Sequence, residues 1–226
     1  MRFFVHYFFP AFIGLTILTL SAQDSPPDST PPRSSVQFIN AASVPNLDLE
    51  IKDFHRYEKL TPGAKIFGGH FDFTTWKLKA STLGDETAFA EKTLNKLANT
   101  SSTVVVIGNF QWTFDENGKK KNLQAAILNF DHELVADEKP NSLTIVNGLV
   151  DKILRVSINE AEFQELPPMS HKIWRGLPDG TEAKALAGSQ QIRLPVKFKG
   201  DLKAGIVAFY QRDGAVRFAA MSQSPF

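Results

Sequence analysis

The chain of 226 residues contains no cysteine. That excludes disulfides, thiolate metal sites, cysteine nucleophiles and lipid attachment through an N-terminal cysteine, so stability must come from buried apolar area. A charge excess of either sign is also missing. The 25 basic and 24 acidic residues leave a formal net charge of +1, which gives no electrostatic reason to expect nucleic acid. The run Lys119-Lys120-Lys121 follows a turn and reads as a solvated hairpin tip. The four histidines beyond the N-terminal stretch, His55, His70, His132 and His171, show none of the spacings that metal sites favour. There is no G-x-S-x-G, no S-x-x-K and no glycine-rich phosphate loop. No catalytic constellation, metal site or cofactor is therefore expected.

What is present begins with an export signal. Arg2 supplies a positive charge, Phe3 to Leu20 is almost wholly apolar, and Ser21-Ala22 offers small residues for cleavage. Left uncleaved, the same stretch is just long enough to anchor the protein in a membrane, and either way the remainder is expected to be periplasmic or extracellular. Residues 1–22 are thus a predicted signal peptide. A spacer over 23–35 follows, rich in proline and serine, whose D-S-P-P-D-S-T-P-P-R-S-S run cannot bury apolar surface.

The rest repeats itself. Aligned at an offset of 107, the segments from Val36 and from Leu143 share Asn40/Asn147, Leu47/Leu154, Ile51/Ile158, Glu58/Glu165, Lys65/Lys172, Ile66/Ile173 and Gly69/Gly176. Chance would give about two such matches over that length. Phe38/Ile145, Asp53/Glu160 and Phe67/Trp174 are conservative pairs within the same stretch. Further on, Phe110-Gln111 matches Tyr210-Gln211 at an offset of 100, and Ala125-Ala126 matches Ala219-Ala220 at 94. The expected domains are therefore repeat 1 over 36–135 and repeat 2 over 136–226.

Within each copy the pattern is that of strands. Leu47, Leu49 and Ile51 alternate with polar residues, as do Leu154, Val156 and Ile158 in the second copy. Val104 to Ile107 and Ala204 to Phe209 are continuously apolar, as strands covered on both faces would be. Pro195 places the strand around Ile192 at a sheet edge. Residues 85–99 have helical propensity, but their counterpart in the second copy is that same strand, so a strand near Thr87 to Lys92 is expected. Half-covered strands at this spacing predict an all-β chain of two tandem β-sandwich modules.

Aromatic residues carry the main binding signal. Phe71, Phe73 and Trp76 read as one strand and Phe110, Trp112 and Phe114 as another, and most such side chains should fill a core. Trp76 falls out of phase with its neighbours, so Trp76 and Trp112 are the candidate exposed platforms for a glycan or a partner surface. His70 and Asp72 share a strand face and complete the candidate ligand-binding set. A site across the repeats around His70, Asp131 and His132 is the remaining way to assemble a hydrolase.

The opening Val36-Gln37-Phe38-Ile39-Asn40-Ala41-Ala42-Ser43-Val44-Pro45-Asn46-Leu47-Asp48-Leu49, the step Leu60-Thr61-Pro62-Gly63 and the strand Thr103 to Gly108 resemble a family of secreted bacterial proteins. Its tandem modules begin v-R-v-v-[HN]-A-S-P-x-A-P-x-v-D-v-y-v, where v is apolar, and form a domain of unknown function. The second copy keeps less of the pattern, with Arg155 where the aspartate stands. The resemblance implies an Ig-like or transthyretin-like sandwich in an envelope protein and brings no catalytic residues. The resulting expectation is an exported, non-enzymatic structural or binding module whose partner is an envelope protein or a glycan, with no nucleic-acid partner.

Overall fold

The computed structural model describes residues 34–44, 46–71, 75–82, 90–95, 100–108, 113–114, 116–118, 120–121, 124–133, 141–196, 198 and 204–223. Among them there is no helix. The first module contains β1 (Ser34–Ala42), β2 (Leu47–Ile51), β3 (His55–Leu60), β4 (Lys65–Phe71), β5 (Thr75–Thr82), β6 (Ala90–Asn95), β7 (Thr100–Gly108), β8 (Thr113–Phe114), β9 (Lys120–Lys121) and β10 (Ala125–Glu133). The second contains β11 (Asn141–Asn147), β12 (Leu154–Ile158), β13 (Gln164–Leu166), β14 (Ser170–Leu177), β15 (Ala183–Ala187), β16 (Gln190–Leu194), β17 (Ala204–Arg212) and β18 (Ala215–Gln223).

Each module is a sandwich of two four-stranded sheets, and the strand orders are the same. β10-β7-β1-β4 faces β3-β2-β5-β6 in the first module; β18-β17-β11-β14 faces β13-β12-β15-β16 in the second. In both, the first strand pairs in parallel with the penultimate strand of its own sheet, β1 with β7 and β11 with β17, and every other pair is antiparallel. Phe38 and Ile145 occupy the same topological place. The duplication is therefore visible in the fold.

Alternation decides which residues meet. In the first module Val36, Phe38, Val104, Val106 and Ile127 meet Leu47, Leu49, Ile51, Trp76, Leu78 and Leu94 across the sandwich. In the second, Leu143, Ile145, Val207 and Phe209 meet Leu154, Val156, Ala185 and Ile192. The opposite faces of the two inner sheets close on each other. Ile39, Ala41, Val105, Ile107 and Phe130 pack with Val146, Ile206, Ala208, Tyr210 and Ala219 in a third core. This explains the uninterrupted apolar runs in β7 and β17, since each strand has a core on both sides. Pro32–Phe226 forms one compact unit, in which the four sheets stack.

The contact between modules is reciprocal, as a two-fold axis would make it. Lys65 at the start of β4 donates its Nζ to Ala220 O on β18 at 3.2 Å. Its counterpart His171 on β14 packs edge-on against Phe130 of β10, with ring centroids 5.0 Å apart. At the centre, Gly148 lies so close to the first module that a Cβ there would sit 2.9 Å from Ala41 O, its own counterpart residue, and 2.5 Å from Phe209 O.

Asn40 and Asn147 hold the same corner in each copy. Asn40 Nδ2 donates to Leu60 O at 2.9 Å while its Oδ1 accepts from Ala42 N at 3.0 Å. Asn147 Nδ2 contacts Lys152 O, Leu166 O and Pro167 O at 2.9, 2.9 and 3.0 Å, and its Oδ1 accepts from Leu149 N at 3.1 Å. A short amide with both donor and acceptor satisfies the loop backbone that a buried corner would otherwise orphan.

Hydrogen-bond register corrects part of the sequence alignment. Leu49 faces Tyr57 as Val156 faces Gln164, so Glu58 and Glu165 correspond as aligned. Lys59 is then an extra bulge residue at φ 56°, and beyond it the offset falls by one. Lys65 corresponds to His171, and Phe67 to Ile173 rather than Trp174. Asp48 accounts for the bulge: its Oδ1 accepts from Lys59 N at 2.9 Å and its Oδ2 meets Arg56 at 2.7 Å. The second copy has Arg155 at that place and no bulge. Later blocks shift by three. The parallel pairs make Val104 equivalent to Val207, so Tyr210 corresponds to Ile107 and not Phe110. Ile127 likewise corresponds to Phe218, so Ala125-Ala126 does not match Ala219-Ala220. The connection carrying the β8–β9 hairpin lengthens the first copy between these two strands.

Two further expectations meet the coordinates. The segment with helical propensity contains strand β6, somewhat later than Thr87 to Lys92, and pairs with β5 as β16 pairs with β15. Here tertiary pairing overrides propensity. β16 is an edge strand that ends at Leu194, just before Pro195.

Candidate functional site

Of the four predicted ligand-binding residues, only Trp76 and the His70 backbone are described. Trp76 is 1% exposed, because on β5 it stands opposite Leu94 and points between the sheets of the first module. It belongs to the core and cannot serve as a platform. Nor does it share a strand with Phe71, which lies on β4. His70 stands on β4 in register with Ser35. Trp112 and Asp72 lie outside the described residues, as do Phe73 and Phe110. The alternative grouping of His70, Asp131 and His132 fails on topology. His70 is on one edge strand of its sheet and the other two are on the opposite edge strand, three strand spacings away, or about 14 Å. Asp131 instead accepts from Ser102 Oγ at 2.5 Å and Asn129 Nδ2 at 3.0 Å. Among the described residues no group of three His, Cys, Asp or Glu could hold a metal ion.

The outer face of the β3-β2-β5-β6 sheet offers a different site. Even-numbered residues of β2 and odd-numbered ones of β5 and β6 point away from the core, placing Glu50, Lys79 and Glu91 in one cross-strand row and Lys77 and Thr93 in the next. At the end of β2 the chain turns through Lys52, Asp53 and Phe54. Lys52 N donates to Lys77 O at 2.9 Å, Phe54 N donates to Ile51 O at 3.0 Å, and Asp53 takes a left-handed φ of 63°. The turn leaves Phe54 58% exposed. Two adjoining hollows result, of about 430 and 390 Å³. The first is lined by Glu50, Lys79, Glu91 and Thr93, the second by Asp53, Phe54 and Thr75, and Lys52 and Lys77 line both. They form one trough across the sheet.

The second module has the same turn but pairs its charges. Asn159 N donates to Glu182 O at 2.8 Å and Ala161 N to Ile158 O at 3.0 Å, which makes Asn159 the counterpart of Lys52, Glu182 of Lys77 and Ala161 of Phe54. Asn159 Oδ1 accepts from Glu182 N at 2.9 Å, Glu182 pairs with Arg193, and Lys184 pairs with Glu160 at 3.6 Å. In the first module Lys52 and Lys77 have no ion-pair partner among the described residues. One copy pairs its own charges, while in the other two cations have no ion-pair partner among the described residues. Sequence reasoning passed over these residues because scattered lysines on an alternating strand read as ordinary solvated positions; comparing the copies residue by residue would have exposed the difference.

Nearby groups are structural. Asp48 is 1% exposed, and its hydrogen bond to Arg56 holds the guanidinium above its ordinary pKa. Tyr57 packs on Phe38 at 5.4 Å, donates its hydroxyl to Gly68 O at 2.9 Å, and is raised above the usual phenol pKa by burial. Lys92 spans the sandwich edge from β6 to Ile127 O on β10 at 3.0 Å.

No protein-family model and no curated protein matches the chain. Among solved structures it is similar to that of a candidate cell adhesion protein from Bacteroides uniformis, at 12% identity and a TM-score of 0.25, covering 87% of this chain and 99% of that one. Fold and trough together define the class: a doubled β-sandwich with one open charged face.

Proposed function

We propose that the protein is an exported, non-enzymatic binding module of the cell envelope, working in the periplasm or on the cell surface. The observation that carries this reading is the contrast between two copies of one module. At the same place in the fold, the second copy pairs its charges internally, while in the first Lys52 and Lys77 have no ion-pair partner among the described residues. Two adjacent cations lining a hollow offer a charged surface on which a partner of opposite charge can pair. The N-terminal signal pattern and the proline-rich spacer support export. A stack with three cores supplies a stiff platform, so little ordering cost falls on the binding event.

The test is saturable binding of the purified protein to isolated envelope material, compared with the Lys52→Glu/Lys77→Glu double variant. The reading expects saturation by the parent protein and a loss of at least about tenfold in the variant. Absence of saturable binding, or binding untouched by the double change, would overturn it.

A further inference from the structure

The chain has three methionines and no cysteine. Met1 is its first residue, so Met169 and Met221 hold every sulfur atom of residues 2–226. Both pack on the third core, the one shared by the two modules, and both are only partly buried. We propose that they form an oxidation-sensitive seam: an oxidant of the peroxide class converts them to sulfoxides, and the contact between the modules weakens. The seam is separate from the trough and does not rest on the function proposed for it.

The backbone at Met169 shows that the side chain itself matters. Counting back two residues from the matched pair Lys65 and His171 makes Met169 the counterpart of Gly63. Both stand at positive φ, 87° for Gly63 and 55° for Met169, a region that only glycine enters freely. The seam explains the exchange. A Cβ at residue 63 would lie 2.2 Å from the Tyr210 hydroxyl, so only glycine fits beneath that ring. Tyr210 corresponds to Ile107 in the first copy. On the reciprocal side, then, the ring is replaced by a smaller side chain, and a long thioether stands in place of the glycine hydrogen within the same core. Met221 is the counterpart of Phe130 and stands on β18 in register with Ile206 of that core.

The chemistry needs nothing from the protein beyond the thioether. A sulfur lone pair attacks one oxygen of hydrogen peroxide, the O–O bond breaks, and water leaves as the second product; sulfur loses two electrons and peroxide gains them. Partial exposure lets so small an oxidant reach both sulfurs. The sulfoxide oxygen is a strong acceptor. The third core is built mainly of aliphatic residues, Ile39, Val105, Ile206 and Ala208 among them, whose side chains cannot donate to it.

The experiment treats the full chain with hydrogen peroxide, maps the added oxygen by peptide mass spectrometry and follows unfolding by scanning calorimetry. The expected result is a gain of about 16 Da at each of Met169 and Met221. The unfolding transition should move down by about 4–8 °C and broaden as the modules uncouple, and methionine sulfoxide reductases should restore it. Met169→Leu/Met221→Leu, close in volume to the parent, should unfold within a few degrees of it and be indifferent to peroxide. Met221→Leu alone, which leaves the left-handed position untouched, should show about half the downward shift on oxidation. Three results would overturn the proposal: both residues unmodified under conditions that consume free methionine, oxidation at both with an unmoved transition, or a shift that persists in the double variant. A transition that moves but stays as sharp as the parent's would show general destabilisation and overturn the assignment to the seam.

Discussion

Replacing Asn147 with Asp changes one atom of the side chain and reverses its hydrogen-bonding logic. The residue is fully buried. Its Nδ2 faces three carbonyl oxygens at 2.9, 2.9 and 3.0 Å, while its Oδ1 accepts from Leu149 N at 3.1 Å. Aspartate keeps the acceptor for Leu149 but aims a second oxygen at three oxygens. Two donor hydrogens disappear, and each buried carbonyl left without a partner costs about 1–3 kcal/mol. The expected destabilisation near neutral pH is therefore about 3–5 kcal/mol, a large share of an ordinary domain's stability. Protonating the carboxyl restores one donor, so its folded-state pKa lies above the ordinary value of about 3.9. With the folded value raised, the variant is closest to the parent below about pH 4 and loses ground as pH rises through the folded-state pKa. Urea unfolding followed by tryptophan fluorescence at about pH 4, 5.5 and 7 measures this directly. A variant within about 1 kcal/mol of the parent, with a flat pH profile, would refute the role given to this corner.

Three other outcomes follow from the same coordinates. Gly148→Ala should cost about 1–3 kcal/mol and lower Tm by several degrees, because its Cβ would press on two backbone oxygens that no rotamer change can move; an unchanged Tm in a thermal scan would contradict the close approach of the modules. Trp76→Ala should destabilise by about 3–5 kcal/mol through the cavity left in the first core, whereas a surface platform would show no loss in a chemical-denaturation curve. Spectrophotometric titration should find a phenol ionising above the usual range that Tyr57→Phe removes. The neutral phenol is the form the fold favours, so the associated stability holds at low pH and fades as pH rises past the ordinary phenol value.

Much of the fold could be read from the amino-acid order because alternation is a direct image of the pleat. Leu47, Leu49 and Ile51 sit on one face because consecutive Cβ atoms must point to opposite sides. The apolar runs of β7 and β17 announced double burial, and the Asn40/Asn147 identity marked equivalent positions in the two copies. What identity matching missed was register. Lys59 adds one bulge residue, held by the Asp48 carboxylate, and a one-residue bulge is invisible to a count of similar side chains. Trp76 misled for a related reason: its phase was judged against Phe71 and Phe73, but Phe71 belongs to the preceding strand. The trough was hidden because it depends on which charges go unpaired, and pairing is a property of neighbouring strands rather than of the linear chain.

Native-state hydrogen exchange tests most directly whether the two modules share one interior. The amides of Ile39 to Ala41, Val105 to Ile107, Val146 and Ile206 to Tyr210 should exchange as a single, slowest class governed by global unfolding. Separate rates for the β7 and β17 amides, with either set opening while the other stays protected, would mean two sandwiches that merely touch, and would contradict the four-sheet stack.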